Sequence, residues 1–511
     1  MRKFSREVLG DFGLRKNGEN VFNTHLQLLY TRSKDHRADK HYQYDTMHEL
    51  VHVYAHYSTP YGLLLEAISV RLTILVRRLI RETSFTLSDL SVPLIQGAIL
   101  ESEFDESDAG TVLFRMLPWV KLSQFREILE GENVNLRTFS SADCFHLLQA
   151  IEDLLDDSEI ITSDFREALE EFKPSLKDED VDSCRNKSAV MWSREDEGEI
   201  AIGAAAVNEA LAVLAPGGIS KNSIYEIPDT TYSILWRMLQ RAYRALSKRA
   251  QNGESERLVK FVENMAQGTI PFHESERRIV CLISELALFT PIGFPFRHLR
   301  DNRAVFKDPE TAWHHLAPGW RAVKAMQFIG AHLPDIDLVV PNRRVIQDQI
   351  CDYYGWPKIE EFVMHRKYTG AKDLSQQPPA PYGVARSRRI YELQFRSYYD
   401  AGGSWLNWLL CDPSLGDKPL DIAPPNLDVF GLHTYFDDEL VTIGGDMPSK
   451  GIRLQGMLER FVHEQLLTKS PAETARLNPR LDKRLEPPFE VFDLAVDLLF
   501  MQRPELVRLF S

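Results

Sequence analysis

Cysteine is scarce in this chain. Cys144, Cys184, Cys281, Cys351 and Cys411 are all that 511 residues contain, and no two form a C-x-x-C pair. That spacing points to neither a zinc ribbon nor a disulfide framework, so a reducing, cytoplasmic setting is expected. Long apolar runs are missing as well. The N-terminal "MRKFSREVLGDFGLRKNGEN" lacks the continuous apolar core of a signal peptide. The most apolar stretch, "YGLLLEAISVRLTILVRRLI", is interrupted by Glu66, Arg71, Arg77 and Arg78, which suits a helix buried in protein rather than a bilayer span. No membrane partner is expected. Basic charge is not in surplus: 60 Lys and Arg against 74 Asp and Glu leave a net charge of −14, which argues against a nucleic-acid partner. The 27 Gly and 27 Pro are too few for a low-complexity chain. There is no G-x-S-x-G elbow, P-loop or G-x-G-x-x-G turn, so no organic cofactor site is signposted.

What is present reads as a mainly α, multidomain protein: an N-terminal helical hairpin with minor β structure, followed by a large helical region. Four regions are expected on length and composition. Residues 1–95 hold a short strand in "HLQLLYT" and two helices separated by the turn "YSTPYG". Residues 96–190 form an acidic helical region, whose run "EDLLDDSEIITSDFREALEEFKPSLKDEDVD" has thirteen acidic residues against Arg166, Lys173 and Lys177; a linker or exposed loop is expected near 173–195. Residues 191–372 form a central helical domain. It opens with a small-residue helix in "IAIGAAAVNEALAVLAPGG" and includes a short strand in "IDLVVP". Within it, "TTYSILWRMLQRAYRALSKRA" carries Arg237, Arg241, Arg244 and Lys248 at spacings of three and four, opposite Leu235, Met238, Leu239 and Leu246. A solvated face is the plain meaning of such a stripe; a grip on a phosphate or an acidic partner is the functional one. Residues 373–511 form an aromatic and turn-rich helical region behind the Pro-rich "DLSQQPPAPYGVARSRR".

One segment carries chemistry. In "YDTMHELVHVYAHYSTPYGLLLEA", His48 and His52 lie four residues apart, so a helix puts both imidazoles on one face, a turn from each other, where they can share one ion. Glu49 borders the same point, and the uncharged Thr46, Met47, Leu50, Val51 and Val53 suit a helix packed in a core. His56, eight residues past His48, would stand about 12 Å along the helix axis, too far to share that ion. Folding the chain back at Ser58–Pro60 sets Glu66 level with residues 52 and 53. A carboxylate among Leu63, Leu64, Leu65, Ala67 and Ile68 needs a cation or a hydrogen-bond partner if buried. Glu66, Ser69, Thr73 and Arg77 also fit a plain solvent-exposed stripe, and that alternative stays open.

Over residues 40–80 the sequence resembles the zincin metallopeptidases, marked by H-E-x-x-H, and within them the gluzincins, whose third ligand is a glutamate on a later helix. The resemblance implies one zinc ion held by His48, His52 and Glu66, with Glu49 as general base toward the attacking water. Arg71, Tyr44 and His41 are the candidates for stabilising the oxyanion or supporting the ligands, with Arg71 preferred. The implied function is a zinc-dependent hydrolase, an intracellular metallopeptidase acting on a peptide or protein substrate. Two other readings stand beside it: a non-enzymatic, mainly helical scaffold or self-assembling shell protein, which makes a homo-oligomer an expectation, and a regulator keeping zinc for structure alone.

Overall fold

The computed structural model describes the segments 21–23, 28–30, 138–139, 186–187, 190–193, 199–213, 233–267, 272–289, 317–332, 343–356, 358–359, 433–436 and 439–442, with single positions at 51, 52, 55, 56, 59–62, 65, 72, 75 and 129. This part is mainly helical. Six helices are named here: α1 (Ala204–Ala212), α2 (Ile234–Gln251), α3 (Glu256–Ala266), α4 (Phe272–Leu288), α5 (Pro318–His332) and α6 (Arg343–Tyr354).

The core is arranged around α1. Its sequence, AAAVNEALA, has no polar face, and all nine residues are buried. A helix without an exposed side must be enclosed, and alanine leaves its neighbours room to come close. α4, α5 and α2 surround it. α4 contributes a run buried from Ile279 to Phe289, in which the buried Glu285 accepts a hydrogen bond from Gln347 Nε2 of α6 at 2.8 Å. α5 begins with Pro318 at its first position, where the missing N–H is no loss. Gly319 follows because a Cβ there would collide with the carbonyl oxygen of Ile202. Only glycine lets the start of α5 meet that strand.

Arg321 ties three elements together although it is wholly buried. Its Nε and Nη2 donate to the Leu286 carbonyl at 3.2 and 3.0 Å, and Nη2 also donates to the Phe289 carbonyl at 3.1 Å. These oxygens lie at the C-terminal end of α4, where carbonyls lack helical partners and a cation is favoured. The guanidinium also stacks over Trp356, 4.0 Å from the ring centroid. Burial lowers its pKa to about 10, which still leaves it charged at neutral pH. Beside it the Cys351 thiol is pushed up from 9.0 to about 12, first by burial. Cys281 and Cys351 are both buried and neither is in a disulfide.

Turn chemistry sets the helix ends. Gly253, at φ +69°, follows α2 and donates to the Ala250 carbonyl; Gly355, at φ +67°, follows α6, after which Trp356 N–H reaches the Cys351 carbonyl. Both are left-handed positions that favour glycine.

The described strands form small sheets. β1 (Val21–Asn23) and β2 (Leu28–Tyr30) are antiparallel, and β2 runs parallel to β7 (His433–Phe436), which pairs in turn with β8 (Glu439–Thr442). The N- and C-terminal regions therefore share one sheet. β3 (Thr138–Phe139) pairs with β4 (Asn186–Lys187), and β5 (Val190–Ser193) with β6 (Glu199–Ile202).

Several sequence expectations are corrected here. The stretch expected as a linker near 173–195 contains β4 and β5; Val190, Met191 and Trp192 have strand-forming side chains that the surrounding acidic charge concealed. Glu199–Ile202 is a strand and not the start of the small-residue helix, which begins after Gly203. The turn-rich C-terminal region holds the β7–β8 hairpin, with Phe436 opposite Glu439. The strand expected in "HLQLLYT" is observed as Leu28–Tyr30, whereas "IDLVVP" lies outside the described residues.

Candidate metal centre

Val51, His52, Ala55 and His56 are helical and almost fully buried, as the core-packed reading of that helix requires. Thr59 closes this helix and starts the next. Its N–H and hydroxyl both donate to the Ala55 carbonyl, at 3.3 and 2.6 Å, and its Oγ1 accepts from the Gly62 N–H at 3.1 Å. Thr59 is thus an N-cap with Pro60 at the first helical position, a pairing that terminates and restarts a helix within a few residues. Gly62 is obligatory in this turn, since a Cβ would overlap the His56 carbonyl. Tyr61, Leu65, Leu72 and Leu75 follow as buried helical positions.

One group that the fold brings close to His52 is Glu209, from the middle of α1. His52 Nε2 lies 3.9 Å from Glu209 Oε2, and each residue is only 2% exposed. The separation is informative. A direct N–H···O bond spans about 2.7–3.2 Å. Two donors bound tetrahedrally to one zinc at roughly 2.0–2.2 Å stand about 3.4 Å apart. The observed distance is too long for the first and within about half an ångström of the second. Nitrogen and carboxylate oxygen are also a donor set that zinc accepts. Asn208 precedes Glu209, is wholly buried, and its side-chain amide has no hydrogen-bond partner among the described residues. Leaving such a group unmet would cost about 1–3 kcal/mol.

Glu209 was missed in the sequence although a signal for it exists. In "GAAAVNEALAVLA" a lone carboxylate stands among alanines, valines and leucines. A buried carboxylate requires a cation or a donor at Glu209 as much as at Glu66. Of the residues named from the sequence, His52 is placed; His48, Glu49, Glu66, Arg71, Tyr44 and His41 lie outside the described residues. Among the described residues no three His, Cys, Asp or Glu side chains converge on one point, and no helix is long and apolar enough to cross a membrane. Compared with known proteins, the chain matches no family model, no curated protein and no solved structure.

Proposed function

We propose that this protein is a zinc-dependent hydrolase of the metallopeptidase type, acting on a peptide or protein substrate. The observation that carries the reading is the buried approach of Glu209 to His52, the second histidine of His48-Glu49-Leu50-Val51-His52. His48 and His52 would each supply one ring nitrogen and Glu209 one carboxylate oxygen. That is three protein ligands, the number a catalytic zinc uses while keeping a position for substrate or water. Glu66 remains the alternative carboxylate from the sequence.

Bound zinc would supply Lewis acidity toward the scissile carbonyl and toward water. The chain's own residues do the rest. Glu49, adjacent to the ligand His48, accepts the proton of the attacking water and returns it to the leaving amine. His52 and Glu209, both buried, would hold the ion from two separate helices. Arg71, Tyr44 and His41 are the proposed donors to the developing oxyanion.

Metal analysis and one substitution test this reading. Purified protein should carry close to one zinc per chain, and Glu49→Gln should retain that zinc and the fold while hydrolysis of a peptide library stops. A well-folded, metal-free wild-type protein under zinc-replete conditions would remove the hydrolase reading and leave a helical interaction protein.

A further inference from the structure

A groove of about 350 Å³ runs between α2 and α5, and neither His52 nor Glu209 lines it. One wall is Met238, Ala242, Ala245, Leu246 and Arg249 of α2; the other is Val323, Met326, Gln327, Gly330 and Ala331 of α5. The α2 residues fall at i, i+4, i+7, i+8 and i+11. Those of α5 fall at i, i+3, i+4, i+7 and i+8. Each wall is therefore a stripe of the kind one helix offers to another. The floor is narrow because small residues meet there: a Cβ at Gly330 would stand 3.3 Å from that of Ala242. At the rim, Ala245, Arg249, Gln327 and Ala331 are exposed.

The flank of this groove is strongly basic. α2 carries Arg237, Arg241, Arg244 and Lys248, besides Arg249, which pairs with Glu254 at 2.6 Å, and has no acidic residue of its own, in a chain whose net charge is −14. Positions 237, 241, 244 and 248 each precede a groove position, so they form a parallel stripe about 100° further round the helix. Arg241, Arg244 and Lys248 are exposed. Apolar trough and cationic bank thus lie side by side along roughly three turns.

We infer that this groove docks an acidic amphipathic α-helix of a partner protein, its apolar face in the trough between α2 and α5 and its acidic flank against Arg244 and Lys248. Three observations select that occupant. Two helical ridges of matching period make a seat for a third set of ridges. The surface is concave, whereas a bilayer presents a flat one. A second copy of this chain docking isologously would set the same basic stripe against itself, and like charges would oppose it.

The test uses the full-length protein and a set of fluorescein-labelled, stapled helical peptides of about 14 residues, with leucine or isoleucine at i, i+3, i+4 and i+7 and glutamate on one flank. Fluorescence anisotropy should find saturable binding in the micromolar range within this set. Arg244→Glu combined with Lys248→Glu should weaken it roughly tenfold or more. Lysine-flanked versions of the same peptides should instead prefer the charge-reversed protein. Ala245→Trp, which fills the trough from an exposed position, should abolish binding of both kinds. Circular dichroism and thermal melting confirm that the variants remain folded. The inference is overturned if no peptide of the set binds, or if binding survives both the charge reversal and the tryptophan. It is also overturned if phosphatidylserine vesicles or oleate bind in a manner that Ala245→Trp blocks while the peptides do not.

Discussion

Replacing Glu209 by glutamine removes one negative charge and almost no volume from a helix that has no exposed residue. If Glu209 is a zinc ligand, metal affinity must fall further than when a supporting residue is lost. Supporting residues are worth about 10–100-fold, so a loss beyond about 100-fold, or roughly 2.7 kcal/mol, is expected. Metal-free Glu209→Gln should then be about as stable as metal-free wild type, because shape and helix propensity are nearly unchanged. Zinc at 100 times its Kd should stabilise the wild type by about 2.7 kcal/mol and the variant by much less. The competing account is a buried His52–Glu209 ion pair with no metal. In that case Glu209→Gln strands a buried partner and costs about 3–5 kcal/mol whether or not zinc is present. Zinc titration against a chromophoric chelator, with urea unfolding of both proteins in its presence and absence, separates the two. Wild-type zinc affinity in Glu209→Gln, or a large stability loss that zinc does not influence, would refute the assignment. Running Glu66→Gln beside it decides between the two carboxylates, since only the true ligand should release the metal.

Three further outcomes follow from the core. Arg321→Met should destabilise by about 3–5 kcal/mol in urea unfolding, because it leaves the Leu286 and Phe289 carbonyls buried at the end of α4 without their donor; a loss under about 1 kcal/mol would show that those carbonyls find other partners. Arg321→Lys should recover only part of this, since an ammonium cannot reproduce the fork and the stack on Trp356. The Cys351 thiol is protonated in the folded state up to about 12 but only to about 9 when exposed, so its contribution is complete below about pH 9 and is lost as pH rises toward 12. Iodoacetamide at pH 9 should leave Cys351 unmodified in folded protein and label it in urea, and rapid labelling of the native chain would contradict its burial. Gly319→Ala should cost at least about 2 kcal/mol, because the added methyl meets the Ile202 backbone, which cannot swing aside as a side chain can; an unchanged melting temperature would mean that α5 and β6 separate freely.

Much of the local structure was written in the chain. Periodicity alone placed the basic and apolar faces of α2, because which side of a helix meets solvent depends on residues three and four apart. "YSTPYG" announced its turn through a capping hydroxyl, a proline at the first helical position and a glycine where no Cβ fits. His52 was named from its partner four residues earlier. What remained hidden depends on distance along the chain. Nothing near Leu28 indicates that its strand will lie beside His433, since a two-sided pairing of short strands is selected by the whole sheet. Val190–Ser193 read as part of a charged linker because composition averages over a window, whereas a strand needs only four suitable residues and a partner. The carboxylate beside His52 shows the same limit most clearly. Local helical geometry reaches only as far as Glu66, one turn of a hairpin away, while Glu209 stands 157 positions after His52 in the sequence and 3.9 Å from it in space. Sequence spacing fixes which groups share a helix face; only the packing of α1 into the middle of the core brings the Glu209 carboxylate to His52.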